Sequence, residues 1–259
     1  MSPVLVFDIE TIPDVAGVRK LQGIGAEVSD AEVAAMASQL RRQKTGHDFL
    51  PLHLQRVVAI SCALSDCDTF KVWSIGSGGD DEGQIIQRFF DGIDKYTPQL
   101  VSWNGTGFDL PVLHYRGLIH AVHAPRYWDT GGDDQEFRYN NYISRYHMRH
   151  CDVMDLLALY QGRAVAPLDE VAQLLGLPGK LGMDGSQVWD AYRTGQIADI
   201  RNYCETDVVN TYLVFLRFQR MRGALSAEEY RSRCDLVRTT LIQSTEPHWQ
   251  AFLSHWPSA

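Results

Sequence analysis

The sequence predicts an α/β protein built on a mixed sheet. Strand-like apolar runs come first, at Val4 to Asp8, in "RVVAISCAL" and in "TFKVWSI". Strand and helix then alternate, and "IADIRNYCETDVVNTYLVFLRFQRM" carries the apolar period of one long helix.

Taken in order, "VLVFDIETIPD" opens the chain with a strand entering a core. Residues 14–54 read as a partly helical insertion, in which Ser29 and Glu32 form a capping box before Val33, Met36 and Leu40 at helical spacing. The two strands that follow are joined by a short polar turn, as in a hairpin. "GSGGDDEG" is a loop leading into a helix that carries Ile85, Ile86, Phe89 and Phe90. It lacks the Gly-Lys-Ser/Thr ending of a phosphate loop and takes no catalytic role.

"PQLVSWN" is a short buried strand, and "DLPVLHYRGL" starts a helix after a glycine-containing turn. "GGDDQEFRYNNYISRYHMRH" is irregular, aromatic and basic, which places it at the surface. "VMDLLALY" and "PLDEVAQLLG" read as helices, the second ending at Gly176. After the long helix, Ser226 and Glu229 cap a last one, with Tyr230, Val237 and Leu241 on one face.

At 259 residues the chain is long enough to bury a sizeable core, as one large domain or two small ones. Hydrophobic residues at 45% and charged ones at 22% are ordinary globular proportions. No apolar run is long enough to span a bilayer, and the N-terminus lacks a signal-peptide pattern. Cys62, Cys67, Cys151, Cys204 and Cys234 are odd in number and scattered. This argues against a structural zinc site or a disulfide framework and suggests a reducing cytoplasm. The net charge of -8 gives no sign of nucleic-acid binding, although metal-binding carboxylates add negative charge that bound divalent cations offset.

Three acidic stations stand out. Asp8 and Glu10 alternate with Ile9 and so project from one strand face, where they repel unless a positive charge intervenes or one stays protonated. A solvated strand end is the plain alternative. Asp109, in "WNGTGFDLPVL", sits near a helix N-terminus and, viewed alone, reads first as a capping acid. In "NYCETDVVNTY", Tyr203 and Asp207 lie one turn apart on one helix face while Glu205 faces elsewhere. The alternative there is an amphipathic helix with Tyr203 half-buried and Asp207 solvated. The conjunction of the three separates this chain from those alternatives.

"FDIET", "NGTGFD" and "YCETD" resemble the three motifs of the DEDD superfamily of 3'-5' exonucleases, and tyrosine four before the last aspartate resembles its tyrosine-type branch. The histidine-type branch has its base five before that aspartate, where this chain has Asn202. The wording is most similar to the predicted exonucleases related to B-family DNA polymerase proofreading domains. The resemblance runs from about residue 4 to about residue 215, outside which lie the C-terminal helical extension (220–259) and, between its motifs, the 14–54 insertion. It implies a ribonuclease H-like fold with a five-stranded mixed sheet flanked by helices, and a single exonuclease domain over 1–259. It implies that Asp8, Glu10, Asp109 and Asp207 hold two Mg2+ or Mn2+ ions when substrate is bound, and that Tyr203 orients or deprotonates the attacking water. Hard oxygen ligands suit those ions, and two of them stabilise both the attacking and the leaving oxygen of phosphodiester hydrolysis.

Thr11 resembles a position near the terminal nucleotide, or it satisfies the local turn. Asn104 and Phe108 resemble substrate-side residues, against a turn-forming Asn and a core Phe. Lys180 either neutralises a phosphate or is an ordinary surface lysine. Arg138, Tyr142, Arg145, Tyr146 and Arg149 combine cations with stacking surfaces suited to single strands, or pack on their own domain. His150, Asp152 and Asp155 read as structural, with one of the aspartates starting a helix. The expectation is a cytoplasmic, metal-dependent exonuclease acting on single-stranded 3' ends, DNA ahead of RNA, with any polymerase or repair partner in trans and no membrane. The alternative is a non-catalytic ribonuclease H-like module that binds nucleic acid or a polymerase.

Overall fold

The computed structural model describes residues 3–257 apart from Cys67 and Gly78, so one of the five cysteines and one glycine of the "GSGGDDEG" loop lie outside the described residues. In chain order the elements are β1 (Val4–Pro13), α1 (Val15–Gln22), α2 (Asp30–Thr45), β2 (Gln55–Ser65), β3 (Phe70–Ser74), α3 (Glu82–Tyr96), β4 (Gln99–Ser102) and α4 (Asp109–Ile119). There follow α5 (Pro125–Trp128), β5 (His150–Asp152), α6 (Val153–Leu157), α7 (Leu168–Leu174), α8 (Val188–Arg193), α9 (Ile197–Met221), α10 (Ala227–Ile242) and α11 (Pro247–Ser254).

The five strands form one mixed sheet in the order β3-β2-β1-β4-β5. The β1–β2–β3 side is antiparallel, and β1, β4 and β5 run parallel. Pairing of β1 with β4 covers only Val4 to Val6, whereas its pairing with β2 runs from Val4 to Pro13. The second half of β1 therefore keeps one free edge. Its register with β2 also slips between Glu10 and Thr11, a bulge that bends the strand just past the acid pair.

Side-chain alternation sends the two faces of β1 into different cores. Val6 packs with Val101, Cys151 and the α9 residues Val208, Val209 and Leu213. Leu5, Phe7 and Ile9 pack with Ile86, Phe89, Leu110 and Leu113 from α3 and α4. Helix α9 lies against the sheet on one side and under α7, α8, α10 and α11 on the other. That burial on several sides explains why nearly every residue from Tyr203 to Leu216 is apolar or fully enclosed.

Sequence expectations fail where elements are short. Strand β5 closes a stretch expected to be irregular surface; three residues carry no period, yet His150, Cys151 and Asp152 align with Leu100, Val101 and Ser102. Within that stretch Phe137 and Tyr142 are buried, the Tyr142 hydroxyl donates to the Pro98 carbonyl at 2.7 Å, and the Arg149 guanidinium sits 4.1 Å from the Phe137 ring centre. Tyr142 and Arg149 thus brace the domain. Helix α6 stops at Leu157, because Leu159 and Tyr160 adopt left-handed backbone. The capping boxes of α2 and α10 form as expected. In α2, however, the inner face is Val33, Ala34 and Ala37, with Met36 and Leu40 exposed. Nor is α10 last, since Pro247 at the first turn opens α11.

One buried ion network ties the start of the insertion to the main body. Arg116 of α4 donates from Nη1 to Asp14 Oδ2 at 2.5 Å, and from Nε and Nη2 to Glu82 at 2.7 and 2.5 Å. Glu82 also accepts from the Val57 backbone and lies 2.7 Å from His120 Nε2. With the Arg116 side chain only 4% exposed, its removal strands two carboxylates in a low-dielectric setting. Arg116→Met is expected to cost about 3 to 5 kcal/mol in urea unfolding. A loss under about 1 kcal/mol would mean the network is not a fastening of the fold.

Candidate active site

The site forms where β4 leaves β1. Because Asp8 and Glu10 share the face of Val6, they point toward α9, whose early turns bring Tyr203, Cys204 and Asp207. One oxygen each from Asp8 and Glu10 and the Cys204 sulfur lie within 4.8 Å of one another. The Cys204 thiol reaches the Asp8 carbonyl oxygen at 3.4 Å and Asp8 Oδ2 at 3.5 Å.

Asp109 arrives from the opposite side. It is the first residue of α4, yet its Oδ1 accepts the Ile9 backbone N–H at 3.1 Å. The carboxylate thereby occupies the ladder position that β4 vacates, which a capping role would not require. Asp207 offers Oδ2 to Lys180 Nζ at 4.0 Å, while its buried Oδ1 has no hydrogen-bond partner. The Lys180 ammonium also lies 5.3 Å over the Tyr203 ring. Tyr203, half-buried in the amphipathic-helix alternative, is 5% exposed.

Four carboxylates packed this way resist ionisation. Burial, reinforced by Asp109 and Asp207, holds Asp8 well above the usual carboxylate range. Burial and the charge on Asp8 do the same to Glu10. Burial lifts Asp109 to about 7, and Asp207 to about 6 despite the opposing pull of Lys180 and the Tyr203 hydroxyl. The Tyr203 phenol is pushed far above its ordinary value by burial and then by Asp207, and burial raises the Cys204 thiol likewise. A hard divalent cation would supply the charge this arrangement lacks. Carboxylate oxygens are its preferred donors, and the orphaned Asp207 Oδ1 is the kind of atom that such an ion satisfies. The residues fit the ions the sequence suggested.

The remaining candidates divide. Lys180 joins the cluster, where the sequence left open an idle surface lysine. Thr11 Oγ1 donates to Gln55 Oε1 at 3.1 Å beside the bulge. Asn104 takes the left-handed backbone of a turn (φ 65°), and its backbone N–H donates to Asp152 Oδ1 at 3.0 Å. Phe108 packs on Phe49 with ring centres 5.7 Å apart. Asp152 starts α6 and also holds Thr106, whose hydroxyl lies 2.7 Å from Asp155 Oδ2, and His150 Nε2 lies 2.8 Å from Ser102 Oγ, so all three are engaged within the fold. Arg145 lies 5.1 Å from the ring centres of both Tyr146 and Tyr160, and Arg138 is exposed.

Two features escaped the sequence reading. Cys204 abuts the acid pair, a placement its position between Tyr203 and Asp207 on one helix could have suggested. Glu205, turned away from the cluster as expected, accepts from Ser74 Oγ at 2.7 Å and lies 3.1 Å from His248 Nε2 of α11. It fastens the C-terminal helix to α9, and no local pattern announces a contact between residues 43 apart.

Residues 47–256 match the model of a family described as predicted 3'-5' exonucleases related to the exonuclease domain of PolB. The chain belongs to this family. Asp109, Lys180, Tyr203 and Asp207 lie within the matched residues of this exonuclease-family chain, and Asp8 and Glu10 precede them. It is also 25% identical over 149 residues to a DNA polymerase of Archaeoglobus fulgidus, covering 56% of this chain but 19% of that polymerase. The mixed five-stranded sheet flanked by helices agrees with the ribonuclease H-like expectation. Among the described residues no helix is long and apolar enough to cross a membrane.

The acid cluster predicts a pH signature in the metal-free protein. Between about pH 4 and 7 the folded state keeps protons on Asp109 and Asp207 that the unfolded chain releases, so their contribution to stability is full at low pH and lost as pH rises through 6 to 7. His114 and His150, each lowered to about 4 by burial, work in the opposite direction below pH 6.5. The informative quantity is therefore a difference. In EDTA, Asp207→Asn should gain stability relative to wild type between pH 5 and 7.5, measured by urea unfolding. A constant difference would contradict the raised pKa of Asp207.

Proposed function

We propose that this chain is a metal-dependent 3'-5' exonuclease that hydrolyses phosphodiester bonds from the 3' end of single-stranded nucleic acid, DNA ahead of RNA. The observation that carries this reading is the convergence of Asp8, Glu10, Asp109 and Asp207 from three distant stretches, with Asp207 Oδ1 buried and unpartnered. The alternative, a binding module that does not cut, is usually marked by loss of one of these acids, and this chain has all four.

In this reading the four carboxylates would hold two Mg2+ or Mn2+ ions, which would lower the pKa of water and stabilise charge at the phosphate. Asp109 holds β1 and α4 in register through its bond from Ile9, keeping two of the acid-bearing elements at a fixed spacing. Tyr203 stays a neutral phenol, because burial and the surrounding acids oppose its ionisation. It therefore orients the attacking water by hydrogen bonding and does not remove its proton. Lys180 accompanies Asp207 and meets a scissile phosphate as a point charge. Cys204 remains a thiol and braces Asp8. Thr11, Asn104 and Phe108 flank this end of the sheet on the substrate side. The whole chain works as one exonuclease unit in the cytoplasm, carrying the 14–54 insertion and the 220–259 helical extension, with a polymerase or repair partner acting in trans.

Asp8→Ala and Asp207→Ala are expected to abolish cleavage of end-labelled single strands in Mg2+ or Mn2+ while keeping the fold. Tyr203→Phe is expected to lower single-turnover cleavage by roughly 10- to 10,000-fold with Mn2+ binding retained. Stepwise shortening of a 5'-labelled strand, with release of mononucleotide from a 3'-labelled one, is the required polarity. Full activity in Asp8→Ala, or wild-type rates in Tyr203→Phe, would remove that residue from the mechanism.

A further inference from the structure

The acid cluster contains one donor that a magnesium site does not call for. Cys204 follows Tyr203 on α9, and its sulfur, one oxygen of Asp8 and one of Glu10 lie within 4.8 Å of one another. Hard cations such as Mg2+ and Mn2+ take oxygen donors and gain little from sulfur. A thiol among their ligands is therefore either packing or the mark of a second kind of ion.

Distances bear on that choice. In tetrahedral Zn2+ sites the metal–sulfur bond is about 2.3 Å and the metal–oxygen bond about 2.1 Å, which sets the sulfur–oxygen edge at about 3.6 Å. The Cys204 sulfur stands 3.5 Å from Asp8 Oδ2. The same spacing serves a thiol hydrogen bond, so the choice turns on what else faces the pair.

Glu10, 8% exposed, supplies the third donor atom. Asp207 supplies an independent sign. It is only 7% exposed, its buried Oδ1 has no hydrogen-bond partner, and its charge acts on Asp8, Glu10 and Cys204 alike. A buried orphan acceptor beside three donor atoms is what a cation satisfies. One sulfur among carboxylate oxygens is a donor set of mixed softness, which suits a borderline ion of the Zn2+ class ahead of Mg2+. It is also unlike the paired cysteines of a structural zinc centre, which the scattered cysteines of this chain do not provide.

We propose that Asp8, Glu10 and Cys204, with Asp207 as a fourth donor, form a site for a thiophilic divalent cation of the Zn2+ class, which competes with Mg2+ or Mn2+ for the same carboxylates. This site rests on the reading of the four acids as a divalent-cation site and adds a sulfur donor to it. As the sulfur–metal bond forms, the thiol proton passes to solvent. With Mg2+ or Mn2+ the thiol keeps its proton and its contact with Asp8. An ion held by sulfur occupies both strand acids without the water-rich coordination that Mg2+ keeps, and so holds the site idle.

Co2+ is the probe, because a thiolate bound to it gives a near-ultraviolet charge-transfer band that oxygen ligands do not. Titrated with Co2+, the metal-free wild type is expected to develop this band, and added Zn2+ to remove it by displacement. Cys204→Ser is expected to lose the band and to bind Zn2+ at least about tenfold more weakly by calorimetry, the least that loss of even an outer partner costs a metal site. Its Mn2+ binding is expected to match wild type. Glu10→Gln keeps the thiol, and its Co2+ affinity is expected to fall by at least the same factor. Zn2+ added to the Mn2+-loaded wild type should release free Mn2+, read by electron paramagnetic resonance. Co2+ binding without the band, a band that survives in Cys204→Ser, unchanged Co2+ affinity in Glu10→Gln, or no release of Mn2+ would each overturn the proposal. So would loss of Mn2+ together with Zn2+ in Cys204→Ser, which would make Cys204 a packing residue. Mn2+ binding without a thiolate band would sink the sulfur site alone, whereas binding of neither ion would sink the acid cluster as a cation site as well.

Discussion

Burial of like charges is the constraint on which the site depends. Asp8, Glu10, Asp109 and Asp207 converge at one end of the sheet, and among the described residues the cation paired with them is Lys180, at 4.0 Å from Asp207. In such surroundings carboxylates hold their protons, through burial first and, for Asp8 and Glu10, through the neighbouring acids as well. A fold selected for stability alone would replace these groups with apolar ones or move them to water. Their retention is intelligible if something doubly charged occupies the centre, and the unpartnered Asp207 Oδ1 points the same way.

The scaffold is arranged to hold that repulsion. Strand β1 is paired with β2 throughout but released by β4 after Val6, and the bulge after Glu10 turns the strand away immediately past the acids. Asp109 then takes the vacated backbone donor of Ile9, which couples β1 to α4 through one of the acids themselves. On the other face α9 is enclosed by the sheet and four helices, so Tyr203, Cys204 and Asp207 stand on a rigid support. Rigidity of this kind is what keeps repelling groups from simply moving apart.

How much of this was legible depended on length and on locality. Helix α9 could be read from end to end because 25 residues carry a sustained period. The acids were legible through their motif spacing, with alternation on β1 and the helical turn of Tyr203 and Asp207 supplying the geometry. Strand β5 was not, since His150 to Asp152 are too few to show a pattern and are defined only by pairing with β4. For Tyr142 and Arg149 a nucleic-acid surface and packing on their own domain both stayed open, because composition does not reveal burial; the Pro98 carbonyl that receives Tyr142 is 44 residues away. Cys204 and the Glu205–His248 contact were likewise invisible, being defined by tertiary packing.

The central claim is that the acid cluster is a divalent-cation site. It is tested most directly by anomalous diffraction from crystals soaked in Mn2+ together with a short single-stranded oligonucleotide. The account predicts two anomalous peaks enclosed by Asp8, Glu10, Asp109 and Asp207, one of them bonded to Asp207 Oδ1. Crystals that hold Mn2+ elsewhere while those four carboxylates stay free of it would contradict the account.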